Sequence, residues 1–404
     1  MITKNQIEEI FYRIETQRPV LFSLLQDLIR IRSYSGEEKN IVEFIILKMK
    51  DHLFDEAYVD KFGNAVGRIG NGPVKILYDA HVDTVIVTEN ENWIHPPFEG
   101  KITGGKIFGR GAVDEKPAMA GFLIAAGLIR DLFKKLPFTL YVVGSVMEED
   151  CDGYPLLHLI REEGIRPDHV LLGEPTDLFV YRGQRGRMEM DIVTTGVSAH
   201  GAHNQKGINA IYKMMPLIGE IEKLDQNLPE IPPLGKGSLT VSQITSQAPS
   251  LCSVADHCRI HIDRRLTEGE SMESAKAELQ SIAHRLKLEA EIQVSTYQGI
   301  SWTGYKFSQE AYFPTWMTNE AHPLVRAGME AAGLSGARAD RSGFWQFSTN
   351  GVATAGRLGI PTIGFAPGRE ELAHTSKEEL ILEDLVTATR FYCLLPFILA
   401  DMLQ

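Results

Sequence analysis

His81 and Asp83 stand two residues apart after the apolar run 74–78, a spacing that lets a carboxylate hold one imidazole nitrogen while the other meets a metal ion. A lone His-x-Asp pair is commonly just a histidine at a strand end, so this reading needs companions. They recur along the chain. Asp114 precedes an apolar helical stretch, Glu148-Glu149-Asp150 follow the run 138–147, Glu174 follows 168–173, and His374 lies beyond 361–366. His81, Asp114, Glu149, Glu174 and His374 are nitrogen and oxygen ligands suited to zinc. One ion needs three protein ligands and a water, so five ligands with one shared carboxylate serve two ions. Asp114 is the natural bridge. Glu148, beside a ligand yet pointing elsewhere, is left free as a general base.

These residues need a scaffold that gathers strand ends. Open α/β sheets bind ligands just beyond the carboxyl ends of their strands, and the runs 74–78, 138–147, 168–173 and 361–366 read as such strands. A strand is also expected at 336–340, and an interrupted one over 57–69. Helices are expected over 7–31, 39–52, 116–133, 323–333 and from 378, with Ser35 and Glu38 forming a capping box before the second. The loop-rich segment 93–111 delivers Asp114 to the front of the 116–133 helix, where an aspartate can also serve simply as an N-cap. From about Gln184 the pattern becomes strand 187–195, helix 206–224, strands 238–245 and 257–264, helix 271–287 and strand 291–296. That β-α-β-β-α-β order is ferredoxin-like. The expected fold class is α/β: a discontinuous catalytic domain with a mostly parallel sheet between helices, residues 1–183 and 298–404, and an inserted dimerisation or lid domain, residues 184–297.

Composition narrows the class. A chain of 404 residues exceeds what one core usually serves, and 44% apolar residues exclude wholesale disorder. The formal charge of −12 disfavours nucleic acid or an anionic membrane as a partner. Cys151, Cys252, Cys258 and Cys393 form no Cys-x-x-Cys pair and no dense framework, which fits a reducing compartment and argues against cysteine ligands. The charged first residues lack an apolar signal core, and the apolar C-terminal stretch carries Glu383, Asp384 and Arg390, so the expectation is a cytoplasmic protein.

The motifs His81-Val-Asp83-Thr84-Val85, Gly109-Arg-Gly111-Ala-Val-Asp114-Glu-Lys116, Glu148-Glu149-Asp150, Gly173-Glu174-Pro175-Thr176, Gly196-Val-Ser-Ala-His200-Gly-Ala and Ala373-His374-Thr375 run through nearly the whole chain. Together they resemble the dizinc amidohydrolases that include succinyl-diaminopimelate desuccinylase, acetylornithine deacetylase, aminoacylase and glutamate carboxypeptidase. The runs 181–187 and 347–351 further resemble a subgroup labelled selenium-metabolism-linked hydrolases. The resemblance implies two Zn2+ per chain, with Co2+ or Mn2+ as substitutes: one held by His81, Glu174 and Asp114, the other by Glu149, His374 and Asp114. It implies that Asp83 orients His81, that Glu148 takes a proton from the attacking water and passes it to the leaving amine, and that the peptide bond after Asp114 is cis. It also implies a homodimer through residues 184–297 in which His200 completes the partner's site, and an arginine, here Arg265, that grips a substrate carboxylate. Two positions depart from the pattern. Pro117-Ala118 replace two glycines, which the first helical turn tolerates, and Asn350 replaces an aspartate at a place tied to substrate recognition.

The function expected is hydrolysis of an amide or peptide bond in a small carboxylate-bearing substrate, an N-acyl amino acid or a dipeptide. N-carbamoyl amino acids belong to the same reaction type. A noncatalytic metal-dependent binding protein would keep the ligands but has no need of Glu148. His261-Ile-Asp263 repeats the His-x-Asp spacing mid-strand without companions and is read as structural; His203 is read as solvated and Cys151 as inert.

Overall fold

Strands covered on both faces are predominantly apolar, and Val74–His81, Phe138–Ser145 and His169–Leu172 are so in their middles, each buried along most of its length. In the computed structural model, which describes residues 2–88 and 92–404, they form the centre of a nine-stranded sheet. Its order is Glu56–Val59, Ala65–Ile69, Phe138–Ser145, Val74–His81, His169–Leu172, Thr362–Gly364, Val180–Gln184 and Trp316–Met317, with Ser342–Trp345 beside Val180–Gln184. The four strands from Phe138–Ser145 to Thr362–Gly364 run parallel, in register through Tyr78↔Val142, Tyr78↔Leu171 and Ile363↔Leu171. The fold is therefore α/β with a mostly parallel central sheet.

Helix Lys116–Leu132 is buried almost all round, as a helix apolar on every face must be. Leu382–Met402 packs beside it, and Tyr78, Phe122 and Tyr392 interlock where the two helices meet the sheet. Among the described residues, Leu382–Met402 alone is long and apolar enough to cross a bilayer, but 83% of its apolar window is buried inside the protein, so it serves as a core helix.

A second sheet takes Ser238–Gln247, His257–Leu266, Gly186–Thr195 and Glu291–Val294 in that order, all antiparallel. Strand Gly186–Thr195 alternates strictly, its Met188, Met190 and Ile192 facing helices Ala210–Asn227 and Met272–Arg285 in a core of their own. The opposite face carries charge. A short strand, Tyr312–Phe313, joins Gly186–Thr195 from beyond residue 297, so the sheet draws on more chain than the β-α-β-β-α-β unit alone.

Several local expectations fail for identifiable reasons. The stretch 7–31 is two helices, Lys4–Thr16 and Arg18–Arg30, because Pro19 suits a first turn and not a helix interior. No capping box opens Lys39–Asp51: Glu38 is its cap by position but makes no side-chain cap, and Ser35 turns to Asp83 instead. Segment 336–340 is not a strand; Gly336, left-handed at φ 86°, ends helix Pro323–Ser335, and the strand comes later at Ser342–Trp345. The terminal helix starts at Leu382 because Glu379–Ile381 is committed to pairing with Lys106–Phe108.

Candidate metal centre and active-site cleft

His81 is the last residue of its strand, level with Ser145 on the neighbouring one, and is fully buried. Its Nδ1 lies 3.0 Å from the main-chain oxygen of Asp83 and its Nε2 lies 2.9 Å from Asp114 Oδ1. A carbonyl can only accept, so Nδ1 carries the proton that meets it, and Nε2 is the nitrogen turned toward Asp114 and the position a metal ion would take. The Asp83 carboxylate stands 3.6 Å from Nδ1 and is engaged elsewhere. It accepts the main-chain N–H groups of Glu148 and Glu149, each at 3.1 Å, and the Ser35 hydroxyl at 2.7 Å. Asp83 thus positions His81 through its backbone and the two glutamates through its side chain.

Those glutamates do not alternate on a strand, as their sequence position suggested. Strand Phe138–Ser145 stops short, and Glu148 and Glu149 lie in a turn entered through Met147 at φ 56°. Such left-handed backbone in a non-glycine residue costs about 1–3 kcal/mol and persists where surroundings enforce it. Here carboxylates enforce it: Glu38 Oε1 accepts the Met147 N–H at 3.0 Å, and Asp83 takes the next two.

Asp114 reaches the cleft through a loop pinned from the far end of the chain. Glu378, paired with buried Arg110, accepts the N–H groups of Gly111 at 2.8 Å and Val113 at 3.3 Å. A β-carbon on Gly111, which has φ 84°, would come within 2.8 Å of the Lys116 side chain. The Asp114–Glu115 peptide is cis. Pro117 sits in the first turn of Lys116–Leu132 without disturbing it. The second oxygen of Asp114 lies 3.1 Å from His374 Nε2, which is 2.9 Å from Glu149 Oε2. The result is a continuous line, His81–Asp114–His374–Glu149. His374 is also left-handed, at φ 61°.

Glu174 joins from the end of His169–Leu172. With His81 and Glu115 it forms a second group whose ligand atoms lie within 4.8 Å of one another, beside the group His81, Asp114 and Glu149. Glu115 was missed by sequence reasoning; its only signal was a second carboxylate next to Asp114, and it accepts the His81 main-chain N–H.

So many buried carboxylates are unfavourable without cations. Burial first, then the neighbouring Glu174, pushes Glu148 well above the ordinary carboxylate range, and burial does the same to Glu115 and Glu174. Against burial, the imidazoles of His374 and His81 hold Asp114 far below that range. Glu148 Oε1 and Glu115 Oε2 are buried without hydrogen-bond partners among the described residues. Ligand atoms around a tetrahedral ion with zinc-like bond lengths are about 3.3 Å apart, close to the contacts found here. The residues therefore fit divalent cations.

The cleft in front of them has a volume of about 310 Å³, the scale of a small molecule, and is walled by Arg187, Arg265, Asp152, Phe347, Ser348 and Glu370 beside the acidic cluster. Arg265 is thus at the cleft. Asn350 is not. It is 2% exposed, donates to Asp79 Oδ2 at 2.8 Å and Ser145 Oγ at 2.9 Å, and accepts the Gly153 N–H at 2.7 Å, a knot behind the strand ends. Expectation of a substrate contact there is corrected: the amide is buried off the cleft wall and both of its N–H groups are already donated within the protein. His200 is exposed on the second sheet's unit, its Nδ1 accepting the Ala202 N–H, and one chain does not bring it to the cleft. His261 is held by Asp191 at 2.9 Å, not by Asp263, and Cys151 is buried with its thiol pushed up by that burial.

The sequence model of Peptidase family M20/M25/M40 matches residues 77–396. The chain is 45% identical over 373 residues to the uncharacterized protein YgeY of Escherichia coli (strain K12), covering 92% of each. It is 25% identical over 432 residues to an N-formyl-4-amino-5-aminomethyl-2-methylpyrimidine deformylase of Bacillus subtilis (strain 168), covering 98% of each. It is 27% identical over 289 residues to a succinyl-diaminopimelate desuccinylase of Ralstonia pickettii (strain 12J), covering 65% of this chain and 73% of that one. Aminopeptidase PepT from Bacillus cereus ATCC 10987 has the same fold, with a TM-score of 0.72 at 18% identity over 96% of this chain and 99% of that one. Matched by that family's model over residues 77–396, the chain belongs to Peptidase family M20/M25/M40.

Proposed function

We propose that this metal-dependent hydrolase cleaves an amide bond in a small substrate bearing a free carboxylate, an N-acyl amino acid or a dipeptide. His81, Glu174 and Asp114 would hold one ion, and Glu149, His374 and Asp114 a second. Bound there, zinc, or Co2+ or Mn2+ in its place, supplies a Lewis acid for the carbonyl oxygen and acidifies water. Glu148 acts as base and then acid: one carboxylate oxygen accepts a proton from the attacking water and returns it to the leaving nitrogen. The observation that carries this reading is the Glu148 carboxylate, whose Oε1 is buried without a partner within the cleft that contains the candidate ligands. A binding protein gains nothing from keeping a carboxylate in that state, whereas a base must have an unengaged oxygen.

Support also comes from the relatives named for desuccinylation and deformylation, both amide cleavages. The cleft volume suits a small acylated amino acid. We further propose a homodimer through the second sheet's unit, with His200 of one chain serving the cleft of the other; its exposure and distance from its own cleft fit a role between chains. The test is turnover of N-acyl amino acids, N-carbamoyl amino acids and dipeptides by zinc-loaded and chelator-stripped protein. Zinc-dependent release of free amine supports the proposal, and no turnover of any class overturns it.

A further inference from the structure

Arg265 is not the only cation the second sheet turns toward the cleft. Arg187 stands directly opposite it in the antiparallel register of Gly186–Thr195 and His257–Leu266, and Phe313 stands opposite Arg187 on the other side. Side chains opposite one another across an antiparallel pair share a face, with β-carbons about 5 Å apart. Both arginines line the same cleft as His81, Asp114 and Glu148.

Like charges placed opposite one another destabilise a sheet unless something compensates. Compensation here is uneven. Arg265 is held at the back by Asp263 through two contacts of 3.0 Å, Nε to Oδ1 and Nη2 to Oδ2. Among the described residues Arg187 has only distant partners: Asp152 Oδ1 at 3.4 Å from Nη2 and Glu189 Oε1 at 3.8 Å from Nη1. Charge-assisted N–H···O contacts settle near 2.7–2.9 Å, so neither satisfies it. Its Nε is buried with no hydrogen-bond partner among the described residues. Meanwhile the guanidinium carbon lies 4.4 Å from the centre of the Phe313 ring. A guanidinium held on a ring by its face keeps its in-plane N–H edge for an acceptor, and the acceptor that matches that edge is a planar carboxylate.

We propose that Arg187 is the second arm of a carboxylate clamp, closing with Arg265 on the free carboxylate of the substrate and selecting substrates that carry one. The clamp rests on the proposed amide hydrolysis only for the identity of the scissile bond; its ligand is the carboxylate itself. Asp263 and Glu189, one step back on the same face and opposite each other, keep the two cations from driving the strands apart. Asp152, across the cleft wall, keeps Arg187 extended into the cleft until a better acceptor arrives. In that reading Asp152 is a weak stand-in, and Arg187 is a specificity residue and not a strut between the two sheets.

The test uses matched pairs of N-acetyl amino acids and their C-terminal amides with the zinc-loaded full chain. Turnover is measured for the natural sequence, Arg187→Ala, Arg187→Lys and Arg265→Ala. Calorimetric binding of the same pairs is measured on a Glu148→Gln background. Removing Arg187 should raise KM for the acids about tenfold to a hundredfold, leave their kcat within about threefold, and leave the amides unchanged. Arg187→Lys, which folds with the charge but without the fork, should restore little. Equal loss for acids and amides would make Arg187 a strut and overturn the clamp, as would an unchanged acid preference or no binding of either compound. If neither compound is hydrolysed but acid binding still depends on Arg187, the amide-hydrolysis reading falls and the clamp stands. If hydrolysis proceeds with a preference indifferent to Arg187, the reverse holds.

Discussion

The Asp83 carboxylate accepts the main-chain N–H of Glu148 at 3.1 Å, so the residue expected to steer the histidine also fixes the turn that bears the base. Replacing it orphans three donors at once, those of Glu148, Glu149 and Ser35. Asp83→Ala should destabilise the protein by about 3 kcal/mol or more, since bonds to a charged acceptor contribute about 1.5–3 kcal/mol each. Thermal melts should show this loss with and without zinc, because the damaged contacts do not involve an ion. A variant that melts normally while losing only zinc would return Asp83 to the imidazole alone.

Glu148 and Glu149 should separate by function. Glu148→Gln removes a proton acceptor and preserves shape, so turnover should fall by several orders of magnitude with metal content intact. Glu149→Gln weakens a ligand whose partner is His374, 2.9 Å away, so one ion should be lost and excess zinc should recover part of the rate. Elemental analysis beside kinetics checks both; loss of metal from Glu148→Gln with two ions kept by Glu149→Gln would reverse the assignments.

Glu38 should leave a mark on stability against pH. Burial first, and then the Asp83 charge, raises its carboxyl from 4.5 to about 8. Between those values the folded chain keeps a proton that the unfolded chain releases, so stability falls as pH rises through that window. Glu38→Gln mimics the protonated form. Urea titrations should find the two proteins alike near pH 5 and the variant gaining steadily on the natural sequence toward pH 8. A constant difference would show that Glu38 ionises freely in the fold.

Asn350 belongs to stability, not recognition. Asn350→Ala strips partners from Asp79, Ser145 and Gly153 and should cost about 2–4 kcal/mol, while KM of the folded fraction stays within about twofold. Asn350→Asp should be worse as pH rises, because it sets a carboxylate against Asp79. A large rise in KM at unchanged melting temperature would restore the contact with substrate.

His200 offers a test of assembly. Mixed dimers of inactive Glu148→Gln and inactive His200→Ala chains contain one cleft with both residues natural, provided His200 crosses between chains, and should recover activity toward a quarter to a half of normal, about the share expected of mixed sites. Mixed dimers without recovery would place the complete site in one chain.

His81, Asp114, Glu149, Glu174 and His374 were legible because each chemically distinctive residue follows an apolar run or opens a helix, and a parallel sheet gathers such ends on one edge. What escaped depends on contacts that no local pattern encodes. Ser35 and Glu38 have the spacing of a cap, yet the stronger demand came from Asp83 and the Met147 turn, far along the chain. Arg187 is one of many charged residues on an alternating strand, and only the register with Arg265 and Phe313 singles it out. Asn350 looked like a recognition residue by its departure from a pattern, whereas its neighbours make it a rivet.

The strand Thr362–Gly364, lying between His169–Leu172 and Val180–Gln184, has a consequence for biogenesis. On the ribosome, the unit with strands Gly186–Thr195 to Glu291–Val294 has its elements in sequence and a core of its own, so it can fold as it emerges. The larger sheet cannot close until Thr362–Gly364 is made, and the helix Leu382–Met402 that covers it comes later still. A nascent chain therefore exposes His81, Asp114, Glu149 and Glu174 long before His374 exists, and the full candidate ligand set assembles only after His374 has been translated.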